Sequence, residues 1–88
     1  MKDLIKNYLE TIEATNDKET FIKTTEEIAK LLKNEYDGKT ITEETHKFLW
    51  DVYFIVSDKW RTMKFDNKQE YRISLTLYNI LKLHNYEH

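Results

Sequence analysis

The 88-residue chain has no cysteine, no proline and a single glycine, Gly38. Without cysteine there is no disulfide framework, no thiolate metal site and no thiol nucleophile, and nothing ties the chain to an oxidising compartment. The lack of proline and near-lack of glycine leave few loop signals, which points to helices joined by short connections. No apolar run approaches the ~20 residues that a membrane span requires. Residues 1–14 alternate charged and apolar side chains, unlike a secretory leader. These absences predict a cytoplasmic location, with no membrane partner. Arginine is scarce too, at Arg61 and Arg72 only, and the lysines are scattered. The 14 basic residues are outnumbered by 16 acidic ones, for a net charge of −2. A nucleic-acid binder carries a basic excess or a basic cluster, so DNA and RNA are disfavoured as partners.

What is present is sufficient for a core. The chain is 40% hydrophobic and 14% aromatic, which outweighs the 34% of charged residues and excludes disorder. Residues 1–88 suffice for one domain, since two cores would each be too small. Such a domain has little room for a deep catalytic cavity.

Four amphipathic segments follow one another. In KDLIKNYLETIEATN, Leu4, Ile5, Tyr8, Leu9 and Ile12 share a helical face. Asn16 or Asp17 then offers an N-cap to a second helix with Phe21, Ile22, Ile28, Ala29, Leu32 and Tyr36 on its apolar side. Gly38 stands at its C-cap position. Thr40 with Glu43, or Thr42 followed by Glu43 and Glu44, opens a third helix over about residues 42–61. Asp66, with Gln69 three residues on, opens a fourth that runs to about residue 84. The tail LHNYEH is expected to fray. The predicted fold is all-α, a single-domain antiparallel four-helix bundle. Short loops make up-down order its simplest topology.

The third helix is the most informative. At about 100° per residue, Leu49, Val52, Tyr53, Val56 and Trp60 share one face, the expected core face. Phe48 and Ile55 widen it on one side, while Trp50 and Phe54 lie together on the other. Opposite the core, Glu44, Asp51 and Asp58 recur every seven residues and drift only ~20° per step. Lys47 lies beside this strip, Phe54 and Ile55 flank it, and Arg61 follows it. The plain interpretation is a solvated helix face. The alternative is a patch for a basic partner, in which carboxylates steer a cationic surface inward and aromatics supply contact area. On that alternative the partner-binding residues are Glu44, Asp51, Phe54, Asp58 and Arg61.

Catalytic chemistry is hard to assemble. There is no glycine-rich phosphate loop, and Ser57 and Ser74 have no base in register. The adjacent pairs Glu26–Glu27 and Glu43–Glu44 diverge by about 100° on a helix. His46, His84 and His88 form neither HxxxH nor HExxH. Antiparallel packing can bring His46 towards His84, yet a third and fourth ligand are missing. The chain is therefore expected to be no enzyme and to need no metal or cofactor. A helix-turn-helix DNA binder is a further alternative, with YDGKTIT as the turn and the third helix as reader. The acidic outward strip opposes it, because a face meeting phosphates should be basic.

Residues 48–83 contain an apolar helix ending in Asp58–Lys59–Trp60–Arg61, a turn FDNKQE, and then YRISLTLYNILKL. This order resembles the immunity proteins of the colicin D type, small cytoplasmic four-helix antitoxins. In that family a third helix runs into an Asp-x-x-Arg segment, followed by an acidic loop and a leucine-rich last helix. The resemblance implies an immunity protein that binds and inhibits a cognate bacterial toxin nuclease, a transfer-RNA-cleaving enzyme. It covers the toxin's basic active site with carboxylates that stand in for RNA phosphates. Asp58 matches the partner-facing acid of the motif, and Arg61 its arginine, for which a structural role is expected. Two positions depart from the family: Val56 replaces an acid and Ser57 a proline. The implied partner is the toxin's nuclease domain, and the chain alone is expected to be a monomer. Other small helical interaction proteins, such as a phage-encoded inhibitor or an immunity protein against a pore-forming bacteriocin, fit the same architecture.

Overall fold

The computed structural model of the chain describes residues 2–83. It comprises four helices: α1 Lys2–Ala14, α2 Lys18–Tyr36, α3 Glu43–Thr62 and α4 Asn67–Leu81. No strand occurs among the described residues. The fold is the all-α four-helix bundle that the sequence predicts.

Local chemistry sets the helix starts. Asp17 caps α2 by accepting from the Thr20 backbone N–H at 2.9 Å and from the Thr20 hydroxyl at 2.6 Å. These two hydrogen bonds, the hydroxyl's first and the backbone's second, hold the Asp17 carboxyl below its ordinary pKa. Of the two candidate starts for α3, the structure uses Thr42, whose hydroxyl oxygen accepts from the Thr45 N–H at 3.1 Å. Asp66 and Gln69 form a reciprocal capping box at α4: Gln69 N–H donates to Asp66, and Asp66 N–H donates to Gln69 Oε1. Gly38 follows α2 at φ +73°, the left-handed conformation that ends a helix at least steric cost. The α4 helix stops at Leu81, three residues short of expectation, with Lys82 as its cap. His84 lies outside the described residues, as does the expected approach of His84 to His46. Of the tail expected to fray, Leu83 is instead buried in the core and its N–H donates to the Ile80 carbonyl at 3.1 Å, while the rest of that tail lies outside the described residues.

Ion pairs and ring contacts fix the directions. Lys2 meets Glu44 at 3.7 Å at one end, and Lys59 Nζ donates to the Glu13 carbonyl at 3.1 Å at the other. So α1 and α3 run parallel, side by side. Phe21 packs on Phe65 at a centroid distance of 5.5 Å, and Arg72 reaches Glu19 and Glu26. So α2 and α4 also run parallel. The packed pairs are α1·α2, α1·α3, α2·α4 and α3·α4. Direction alternates along the chain as expected, but α2 and α3, though consecutive, lie on a diagonal and do not pack along their lengths. The connection between them crosses one end of the bundle and is pinned there by buried Ile41.

One core joins all four helices. Ile5, Leu9 and Ile12 meet Phe21, Ile22, Ile28 and Leu32 of α2, Leu49, Val52 and Val56 of α3, and Ile73, Leu77 and Ile80 of α4. Leu4, expected on this face, is instead 43% exposed. It lies at the margin of the α1 stripe, where the two neighbours of α1 leave it open. Tyr53 and Trp60 are half-buried rather than fully enclosed, while Phe48 and Ile55 pack against the core as expected.

Candidate partner-binding face

The outward strip of α3 exists as a physical surface. Glu44, Asp51, Phe54, Asp58 and Arg61 are all exposed. Glu44 and Asp58 stand fourteen residues apart, about 21 Å along the helix. The strip is thus long enough to span a cleft.

Its carboxylates are loosely held. Glu44 pairs with Lys2 at 3.7 Å while its own side chain stays 88% exposed. Asp58 takes Arg61 Nη1 at 3.4 Å, one turn along the helix. This is a local pairing role for Arg61. Lys47 reaches Glu43 at 3.8 Å. Asp51 has no ion-pair partner among the described residues. Exposed pairs of this length contribute little stability and are easily exchanged for another cation.

Beside the acids runs an aromatic ladder. The Trp50 indole N–H donates to His46 Nε2 at 3.0 Å. Trp50 stacks on Phe54 at 5.4 Å and meets Tyr53 edge-on at 5.5 Å. Trp50 is half-buried, and Phe54, 53% exposed, forms the open end of the ladder. Such rings hold their geometry at low entropic cost, which suits a contact surface. Next to them Tyr53, Ser57, Trp60, Arg61, Met63 and Glu70 line an open groove of about 370 Å³ between α3 and the start of α4.

Glu19, Glu26 and Asp66 are differently placed. Arg72 of α4 donates through Nη2 to Glu26 at 2.7 Å and through Nη1 to Glu19 at 3.2 Å. The Glu26 bond first, then that to Glu19, pushes the Arg72 pKa further above its ordinary value. In the segment expected to be an acidic loop, Asp66 is engaged by the α4 capping box. No group of three metal-ligating side chains occurs among the described residues.

One surface escapes the sequence argument. Tyr71, Leu75 and Tyr78 stand open on the outer side of α4. Their i, i+4, i+7 spacing was visible, but it duplicates that of Ile73, Leu77 and Ile80, the stripe that is buried. Compared with protein-family models, curated proteins and solved structures, the chain matches none.

Proposed function

We propose that this chain is an immunity protein: it inhibits a bacterial toxin nuclease by laying the acidic face of α3 over the toxin's cationic active site. The observation that carries this reading is the rigid, exposed line of Glu44, Asp51 and Asp58, of which Asp51 has no described counter-ion, set beside Phe54. A nuclease cleft is lined with cations that hold phosphates, and a helix bearing carboxylates can fill it with little ordering cost. The order of motifs in residues 48–83 supports the colicin D type within that class. The diagonal placement of α3 relative to α2, with carboxylates outward, disfavours a helix-turn-helix reader. No helix among the described residues is long and apolar enough to cross a membrane.

Where the adjoining gene encodes a large protein with a basic C-terminal domain, the test is co-purification with that domain. Wild type is compared with Asp51→Lys/Asp58→Lys, and inhibition of RNA cleavage is the second readout. The reading expects tight binding and inhibition by wild type, and loss of both in the folded double variant, because each reversal sets like charges together in a desolvated contact. Inhibition that survives both reversals removes this face from the mechanism.

A further inference from the structure

Three polar side chains are buried among the described residues: Thr25, Ser57 and Thr76. Two of them are satisfied. The Thr25 hydroxyl donates to the Phe21 carbonyl at 2.8 Å, and the Thr76 hydroxyl to the Arg72 carbonyl at 2.9 Å. Ser57 is 6% exposed, and its hydroxyl has no hydrogen-bond partner among the described residues. A buried hydroxyl left unpaired costs free energy, so it calls for an explanation. Ser57 is also the most buried of the residues that line the groove between α3 and α4, and so forms its floor.

Around that hydroxyl the groove is built from one side of α3 and the start of α4. Tyr53, Ser57, Trp60 and Arg61 fall within about 100° of arc on α3. Glu70 lines the groove from the first turn of α4. Two charges line it, and they differ in state. Arg61 Nη1 is paired with Asp58 at 3.4 Å, which offsets its charge. Glu70 is half-buried and has no ion-pair partner among the described residues. The other charges at this end do not line the groove. Asp66 is engaged in the capping box, Lys64 is exposed in the turn, and Lys68 lies about 160° around α4 from Glu70. The uncompensated charge of the groove is one carboxylate.

We propose that this groove receives one arginine side chain of a partner protein. A guanidinium is a planar cation that only donates hydrogen bonds. The groove offers what such a group needs: the Glu70 carboxylate and the Ser57 hydroxyl oxygen as acceptors, and the Tyr53 and Trp60 rings as surfaces for its plane. Met63 supplies apolar surface for the alkyl stem. The rival occupants fit less well. A lysine ammonium is a compact, strongly hydrated charge with no plane to lay on a ring. An anion would meet Glu70, and an apolar group would leave Glu70 and Ser57 covered and unpaired. A site for a free small molecule buries most of its ligand, whereas this groove of about 370 Å³ is open along one side. Its occupant is therefore a side chain whose carrier covers the rest. The groove stands apart from the toxin reading, although a toxin that meets the α3 strip would bring such an arginine close to Asp58.

The test is an NMR titration of the isotope-labelled chain, with no toxin present, so that this proposal and the toxin reading fail separately. The probe is N-acetylarginine methylamide, whose only charge is its guanidinium. The expected result is a saturable shift of the Trp60 indole N–H and the Glu70 amide in the millimolar range. The Trp50 indole, bonded to His46, is the internal reference. The citrulline counterpart, which has the same shape without the charge, should move neither signal. The lysine counterpart should bind about threefold more weakly or worse. Glu70→Gln should weaken arginine binding by about tenfold or more, and Ser57→Ala by about threefold, both with unaltered helical circular dichroism. Arg61→Gln should strengthen it, because a nearby cation is removed. The proposal is overturned by shifts that do not saturate, which would leave a groove filled by water only. It is overturned equally by citrulline or lysine binding as well as arginine, or by a folded Glu70→Gln that binds like wild type.

Discussion

Glu19 and Glu26 on α2 and Asp51 and Asp58 on α3 are alike in the sequence: each is a pair of carboxylates seven residues apart on a helix. Their fates differ. Arg72 spans Glu19 and Glu26 and ties α4 to α2 through two hydrogen bonds. Asp51 and Asp58 face outward, one without a described partner and the other in a long pair within its own helix. The first pair serves the fold. The second does little for the fold and remains available to a partner. A heptad of acids is therefore ambiguous until the neighbouring helix is known, because one guanidinium at the right height converts a surface strip into a clamp.

The largest expected effect comes from breaking the support common to both regions. Leu49 is fully buried beneath the α3 strip. Leu49→Ala should cost about 2–5 kcal/mol, read as a lower urea midpoint, and should disturb strip and clamp together. Next, Asp66→Ala removes the cap of the helix that carries Arg72. It should cost about 1 kcal/mol in the same measurement and leave the α3 strip intact.

Arg72→Met separates the two regions more sharply. It should lower the melting temperature by less than the cap variant does, since the clamp is half-exposed, and the deficit should shrink in high salt. Asp51→Lys/Asp58→Lys, by contrast, should leave the melting temperature nearly unchanged. If Arg72→Met proves silent while the strip variant unfolds the protein, the distinction between clamp and strip is wrong. The smallest effect concerns pH. The Asp17 carboxylate has a folded pKa below its ordinary value, so its extra stabilisation is fully present above the unfolded pKa of about 3.9 and is lost as pH falls through the folded value. Asp17→Asn keeps an acceptor but no charge. Its deficit relative to wild type should be constant at neutral pH and vanish in acid, as followed by thermal melts.

Much of the fold was legible because helix starts are local. Asp17, Thr42 and Asp66 start α2, α3 and α4 through side chains that reach only three residues ahead, and the sequence placed each start to within two residues while leaving Asn16 and Thr40 as rival caps. The exposure of Glu44, Asp51, Phe54, Asp58 and Arg61 was legible as well, since the opposite face of α3 was clearly apolar.

Sequence by itself determined the number of helices, the neighbourhood of their N-caps and the inward face of α3, because these depend on hydrogen bonds within a turn and on one clear apolar stripe. Only the tertiary structure decided the rest. Loops of a few residues tolerate more than one order of helices around a bundle, so the diagonal placement of α2 and α3 had to come from packing, with Ile41 as its anchor. On α4 the sets Ile73, Leu77, Ile80 and Tyr71, Leu75, Tyr78 have the same spacing and lie about 160° apart. A helix can bury only one of two such opposed stripes against a single core. The β-branched and aliphatic set lies inside, and the tyrosine set, whose hydroxyls need water or a partner, is left outside.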